Sequence, residues 1–299
     1  MKIKIDSLIN KYSQENQSCV IVGSGHTMNE FDYLNFNGKI IFCGTAILRL
    51  STVRPDYLIS CNNHFPVINI NSHLDFLNKY PDMTWIFSDT GCYHDIWDFD
   101  EELFTKLKLK YTTFDDRHIS GKQCVPEKKC CKLISKTSLE IFEDHFKTNF
   151  PSKNRKGVSI ADHALIFAIL MGFSKIYIQG IDLPTSNYQG KRIGKKYYGF
   201  ENKEADDFLD KEVLKICRKK YFFYYLKNFK FLPYLKSLLL RLKIFFKKDY
   251  SYFNDNIDTS LDIISWISDT AKSNNQEIFN LSEKSNLRKI KSIKFISSK

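Results

Sequence analysis

The chain has 299 residues, 43% hydrophobic and 15% aromatic, enough apolar material for a sizeable core and too much for a disordered chain. A formal net charge of +11 points to an anionic partner: a nucleotide, a nucleic acid or an acidic membrane surface. Residues 1–18 lack the apolar core of a secretory leader, and no run approaches the roughly 20 apolar residues of a membrane-spanning helix. The cysteines are spread along the chain and read as reduced thiols; Cys19, Cys43 and Cys61 fall in predicted strands, where a thiol acts as a small hydrophobe. Cys124, Cys130 and Cys131, with His118 nearby, do not have the spacing of a zinc site.

After the polar leader, the apolar run 19–23 predicts a strand that turns at Gly23-Ser24-Gly25 into a short helix over 27–35. KIIFC (39–43) predicts a second strand, with a helix from Gly44-Thr45 to Leu50; YLISC (57–61) predicts a third strand, ending at Asn62-Asn63-His64. A helix over 71–79 and a strand over 84–88 follow, then a polar, loop-rich region to about residue 135. Ser159–Met171 has helical periodicity, Gly172 ends it, and KIYIQ (175–179) predicts a strand running into Gly180-Ile181-Asp182. Continuously apolar strands alternating with helices indicate an α/β fold: a Rossmann-like, mostly parallel sheet with helices on both faces.

Beyond Asp182 the composition changes. Residues 184–210 are rich in Gly, Tyr and Lys, and 215–248 carry eleven Lys or Arg and no Asp or Glu. The stretch YFFYYLKNFKFLPYLKSLLLRLKIFFKKDY interleaves these cations with aromatics and leucines and predicts a helix, bent at Pro233. Three readings are open: a bundle helix with snorkelling lysines, an interfacial helix on anionic lipid, and a groove that stacks nucleic-acid bases. The density of aromatic and basic residues favours the membrane surface. An amphipathic helix over 255–272 and a strand over 277–281 close the chain, before a lysine-rich tail expected to fray. The expected domains are an α/β unit made of 1–182 plus 255–299, and a lid with a basic helical insertion over 183–254.

The candidate site residues follow predicted strand ends: Ser24, Thr45, Asn62 and Asn63, and Asp182. In open parallel sheets ligands bind at that edge, where the strand order switches direction. The Gly23-Ser24-Gly25 turn would let backbone N–H groups approach a phosphate at a helix N-terminus.

VGSGHTMNEFDYLNF resembles the G-x-G-P-S-L-x-E-x-D opening of bacterial sialyltransferases of glycosyltransferase family 42, an opening shared with motility-accessory-factor and hydroxymethylpterin-pyrophosphokinase-like proteins. GTAILRLSTVRPDYLISCNNHF resembles their short helix, x-P-D-Y turn and strand ending in Asn, and SIADHALIFAILMGFSKIYIQGIDL their helix–Gly–strand–G-x-D block. The resemblance covers about a third of the chain, in order. It implies a sialyltransferase-like variant of the glycosyltransferase-A fold that carries a CMP-linked nonulosonic sugar across the strand ends.

Position by position, the resemblance places Ser24 where the family has an Asn near the nucleotide phosphate and sugar. Gly44, beside Thr45, replaces another family Asn, and Asn62 matches the Asn ending strand three. Ser159 matches a region that contacts the donor carboxylate, and Tyr188, Tyr197 and Tyr198 lie in the family's lid. Gly23, Gly25, His26, which replaces the family Pro, and Asn63 complete the donor-binding candidates. The mechanism implied is a single displacement with inversion: a base deprotonates the acceptor hydroxyl while CMP departs, with no metal and no cofactor.

The family's catalytic His has no counterpart, since no His follows His163. Asp255 and Asp258 occupy that neighbourhood, and Asp182 is the third candidate base; a cap or loop hydrogen bond is the other reading of Asp182. His163 reads as structural or as part of the site, and His26 as a donor contact or a solvated loop residue. The partners implied are a CMP-sugar donor, a glycan or glycolipid acceptor of lipooligosaccharide or capsule type, and an anionic membrane under 218–248, but no nucleic acid; a homo-oligomer is open. The expected location is cytoplasmic, peripheral to the inner membrane. A pterin-pyrophosphokinase-like enzyme dependent on ATP and Mg²⁺, and a non-catalytic nucleotide-binding protein, are the alternatives.

Overall fold

The computed structural model describes residues 1–23, 25–44, 46, 53–60, 80–88, 105, 108–114, 136–151, 160–181, 251–283 and 285–297, with His26, Ser88, Ile160 and 251–259 described by backbone alone. Eight strands form one sheet: β1 (Ser18–Val22), β2 (Lys39–Cys43), β3 (Tyr57–Ser60), β4 (Thr84–Ser88), β5 (Lys110–Phe114), β6 (Lys175–Gln179), β7 (Glu277–Asn280) and β8 (Ile293–Phe295). Their order is β5-β4-β3-β2-β1-β6-β7-β8, and every pairing is parallel. The architecture is α/β, as expected.

Strand composition follows from burial on both faces. Cys19, Ile21, Ile41, Cys43, Ile59 and Ile86 pack on one face, while Val20, Val22, Phe42, Leu58, Trp85 and Phe87 pack on the other. The first face is covered by three helices, α1 (Ser138–Phe146), α2 (Ile160–Leu170) and α3 (Ser251–Ser273). The second is covered, among the described residues, by the 3₁₀-turn His26–Glu30 and side chains such as Met28, Tyr33, Val53 and Tyr80. This division follows from handedness. The chain steps outward from β1 to β5 on one side, then returns to β6 and steps outward on the other, so right-handed crossovers must change face at β1.

The sequence expectations over 39–43, 84–88 and 175–179 coincide with β2, β4 and β6. Four expectations need correction. The helix expected over 27–35 is a five-residue 3₁₀-turn, His26–Glu30. The loop-rich region before residue 135 contains β5, whose Tyr111 and Phe114 are buried. α1, not foreseen, begins at a complete capping box: Thr137 Oγ1 accepts from the Glu140 amide at 3.1 Å, and the Glu140 carboxylate accepts from the Thr137 amide at 2.8 Å. The tail expected to fray supplies β8, anchored by buried Ile293 and Ile290. The helices expected over 44–50 and 71–79 lie outside the described residues apart from Gly44 and Ala46, and the insertion expected over 183–254 lies outside them up to residue 250, its last four residues belonging to α3. Strands from both sides of that insertion share the sheet.

Candidate active site at the sheet switch point

The strand order reverses between β1 and β6, and the chain leaves those two strands toward opposite faces. A crevice for a ligand is expected between such strand ends. Here the two segments are interlocked. The Gly23 amide donates to the Gln179 carbonyl at 2.8 Å, and the Gly25 amide to the Gly180 carbonyl at 2.7 Å. The fully buried Gln179 side chain also donates, through Nε2, to the Thr27 carbonyl. Met28 lies against Gly180, and the Tyr33 hydroxyl donates back to the Met28 carbonyl at 2.5 Å.

This changes the physical reason for the glycines. The Gly23 and Gly25 amides are spent on β6, so they are not the phosphate donors expected from the loop. Gly23 is required because a Cβ there would stand 2.3 Å from the Gly180 carbonyl oxygen. Gly180 has φ +67°, in the left-handed region. The five-residue 3₁₀-turn after Gly25 supplies little of the dipole that a full helix would aim at an anion.

Other site elements sit around this clasp. Gly44, directly after β2, has φ +51°. Glycine and asparagine are the residues that adopt this conformation most readily, which accounts for a glycine where the resemblance has an asparagine. Beyond β7, the Asn280 side chain closes a turn onto Ser282, and Ser285 Oγ donates to the Ile181 carbonyl at 2.7 Å. Ser285, invisible as a site residue in the sequence, thus fixes the residue before Asp182.

Cys43, at the end of β2, has its thiol pushed up to about 12 by burial, and burial raises Cys19 as well. Both are free and act as core residues. Among the described residues no three His, Cys, Asp or Glu side chains gather as a metal site.

On the helical face, α2 and α3 each lead into a strand parallel to β1, so their N-termini lie toward the edge where β1 and β6 end. Asp255 and Asp258 fall in the first turns of α3, on that side. His163 is buried in the first turn of α2, with Nδ1 2.5 Å from Ser138 Oγ and its ring 4.9 Å from that of Phe114. The other candidates, Ser24, Thr45, Asn62, Asn63, Ser159, Asp182, Tyr188, Tyr197 and Tyr198, lie outside the described residues. In the chain, Ser24, Thr45, Asn62 and Asp182 follow β1, β2, β3 and β6 within three residues.

No family model matches the chain, and no curated protein matches it significantly. Solved structures similar to it include the sialyltransferase CstII of Campylobacter jejuni with the substrate analogue CMP-3FNeuAc. The identity is 14%, 93% of this chain and 86% of that one are covered, and the TM-score is 0.48. The sialyltransferase CST-II with a trisaccharide acceptor and CMP is similar at 14% identity over 93% of this chain and 86% of that one, TM-score 0.47. The monofunctional α-2,3-sialyltransferase Cst-I of Campylobacter jejuni is similar at 12% identity over 96% and 82%, TM-score 0.46.

Proposed function

We propose that the chain is an inverting glycosyltransferase that moves a CMP-activated nonulosonic acid to a cell-surface or lipid-linked glycan acceptor. One observation carries this reading. The segments 19–32 and 159–182, which bear the sequence resemblance, are far apart in the chain, yet they close on each other through Gly23, Gly25, Gln179 and Gly180 at the switch point of a parallel sheet. An open α/β sheet binds its ligand there.

In this reading Ser24, His26, Thr45, Asn62, Asn63 and Ser159 hold the donor, and Tyr188, Tyr197 and Tyr198 hydrogen-bond the leaving phosphate. A carboxylate, Asp258, Asp255 or Asp182, takes the proton of the acceptor hydroxyl. The new glycosidic bond forms at the anomeric carbon as its bond to the CMP oxygen breaks, and CMP departs with the electron pair. Its single phosphate needs no metal to leave.

A thermal-shift series with CMP, CDP, UDP, GDP and ATP tests the reading. Stabilisation by cytidine nucleotides is expected, followed by release of CMP from CMP-sialic acid that is lost on Ser24→Ala or Asn62→Ala. Stabilisation by UDP or GDP without any response to cytidine nucleotides would overturn it.

The acceptor reading extends to location. The eleven cations and interleaved aromatics of 215–248 support a cytoplasmic protein held on the anionic inner leaflet, where lipid-linked acceptors lie. Among the described residues no helix is long and apolar enough to cross a membrane. Sedimentation with anionic vesicles should be lost on deleting 218–248, and binding that survives the deletion removes the segment's role.

A further inference from the structure

α2 is enclosed on all sides: every residue from Ala161 to Leu170 is buried. Two of these residues, Asp162 and His163, are polar, and a polar side chain so placed is costly unless a neighbour answers it. Each is answered by a different helix. Ser260 Oγ of α3 donates to Asp162 Oδ1 at 2.6 Å, and Ser138 Oγ of α1 meets His163 Nδ1 at 2.5 Å. Among the described residues the packing beside these bonds includes Leu139, Phe142, Ile166, Ile263 and Ile267, and another polar link to α2 lies past the far end of α3, where Gln276 Nε2 donates to the Ile169 carbonyl at 3.0 Å. Apolar packing is non-directional and by itself sets the axial position of a helix poorly. A hydrogen bond to a carboxylate is directional and among the stronger ones.

The position of this bond along α3 is what connects it to the site. α2 begins two residues before Asp162, whereas α3 begins at Ser251, nine residues before Ser260. At about 1.5 Å per residue, roughly 13 Å of α3 precedes the bond, on the side of the sheet edge where β1 and β6 end. Asp255 and Asp258 lie in that stretch.

We propose that Asp162 is a positioning residue: by holding Ser260 it sets the axial position of the N-terminal part of α3, and with it the reach of the stretch carrying Asp255 and Asp258 toward the edge where β1 and β6 end. The catalytic consequence rests on the transferase reading; the mechanical one does not.

The test compares Ser260→Ala, Ser260→Thr and Asp162→Ala with Ser268→Ala, a control on the same helix whose buried Oγ has no partner among the described residues. Amide exchange over 251–259 is expected to quicken about tenfold in Ser260→Ala but not in Ser268→Ala. The turnover number for sugar transfer should fall about tenfold with the donor KM unchanged, as for a displaced catalytic group. Ser260→Thr, which keeps the hydroxyl, restores both. The double variant Asp162→Ala/Ser260→Ala should fall by less than the sum of the two single variants, as for residues coupled through a shared bond.

Unchanged exchange in Ser260→Ala overturns the proposal, and so does quickened exchange with turnover equal to that of Ser268→Ala. If the unaltered protein releases no CMP from a CMP-sugar, the transferase reading is what fails, and the exchange comparison alone decides whether Asp162 holds α3.

Discussion

Gly23 and Gly180, 157 positions apart, each occupy the space a side chain of the other would need: a Cβ on Gly23 would meet the Gly180 carbonyl oxygen at 2.3 Å, and one on Gly180 the Gly23 carbonyl oxygen at 2.6 Å. Neither clash can be relieved by rotating a side chain, because the obstacles are backbone atoms at the ends of adjacent central strands. Gly180→Ala adds the strain of an alanine at φ +67°. It should cost about 2–4 kcal/mol, from overpacking and left-handed strain together, and Gly23→Ala about 1–3 kcal/mol from overpacking alone. Urea unfolding measures the loss, and CMP stabilisation should disappear in both variants before folding does.

The sheet centre was legible because its strands are buried on both faces and so read as unbroken apolar runs, as in Val20-Ile21-Val22 and Ile40-Ile41-Phe42. β5 and α1 carry usable signals in the sequence: the aromatic and β-branched run Tyr111-Thr112-Thr113-Phe114, and the capping-box spacing from Thr137 to Glu140. β8 had almost no signal, because Ile293 is the one buried residue of three. The clasp was half visible. Both glycine-bearing turns stood out, but the use of the Gly23 and Gly25 amides by β6 depends on strand order, which local sequence does not encode. Asp162 could not be matched with Ser260 for the same reason, since the pair is 98 residues apart and only the stacking of α2 on α3 brings it together.

At the opposite edge of the sheet, Tyr57 opens β3 and its hydroxyl lies 2.6 Å from that of Tyr12, while Lys11 Nζ donates to it at 2.8 Å. Tyr12 in turn stacks on Phe173, with ring centroids 4.4 Å apart. Tyr57→Phe keeps the packing and removes the shared oxygen, leaving the buried Tyr12 hydroxyl short of a partner. The expected cost is about 1–2 kcal/mol. Nucleotide stabilisation should be unchanged, because the ligand edge lies at the other end of the strands. A fall in CMP affinity equal to that of the glycine variants would show that the two edges are not independent.

Burial also dictates an alkaline limit. The ordinary thiol value is 9.0, and Cys43 is held at about 12, so above pH 9 the unfolded chain sheds a proton that the folded one keeps. The unfolded state then binds fewer protons, and stability falls as pH rises, by about 1.4 kcal/mol per pH unit for one such group. The contribution is intact below pH 9 and is lost progressively up to about 12; Cys19 is shifted in the same direction by the same cause. Urea midpoints at intervals from pH 9 to 10 should decline more steeply in the parent than in Cys43→Ala, since the tyrosines that begin to ionise in the unfolded chain over this range are common to both. Equal slopes would show that the Cys43 thiol does not stay protonated in the fold.

The base that activates the acceptor is the last question the fold narrows. Asp182 follows a loop held from two sides, by Gly23 and Gly25 on one and by Ser285 through the Ile181 carbonyl on the other. Asp255 and Asp258 belong to the part of α3 that precedes its bond to α2. A residue directly after the β6 turn is expected to contact the donor, and residues in the N-terminal part of α3 to meet the acceptor. Replacing each by Asn keeps size and hydrogen bonding and removes the basic oxygen. Asp258→Asn should lower the turnover number for transfer about 10²–10⁴-fold with CMP affinity retained, the range for loss of a general base. Asp182→Asn should instead weaken CMP binding. If Asp182→Asn abolishes turnover with CMP affinity intact, and Asp258→Asn and Asp255→Asn do not, the base lies on the β6 loop and α3 serves the acceptor in another way.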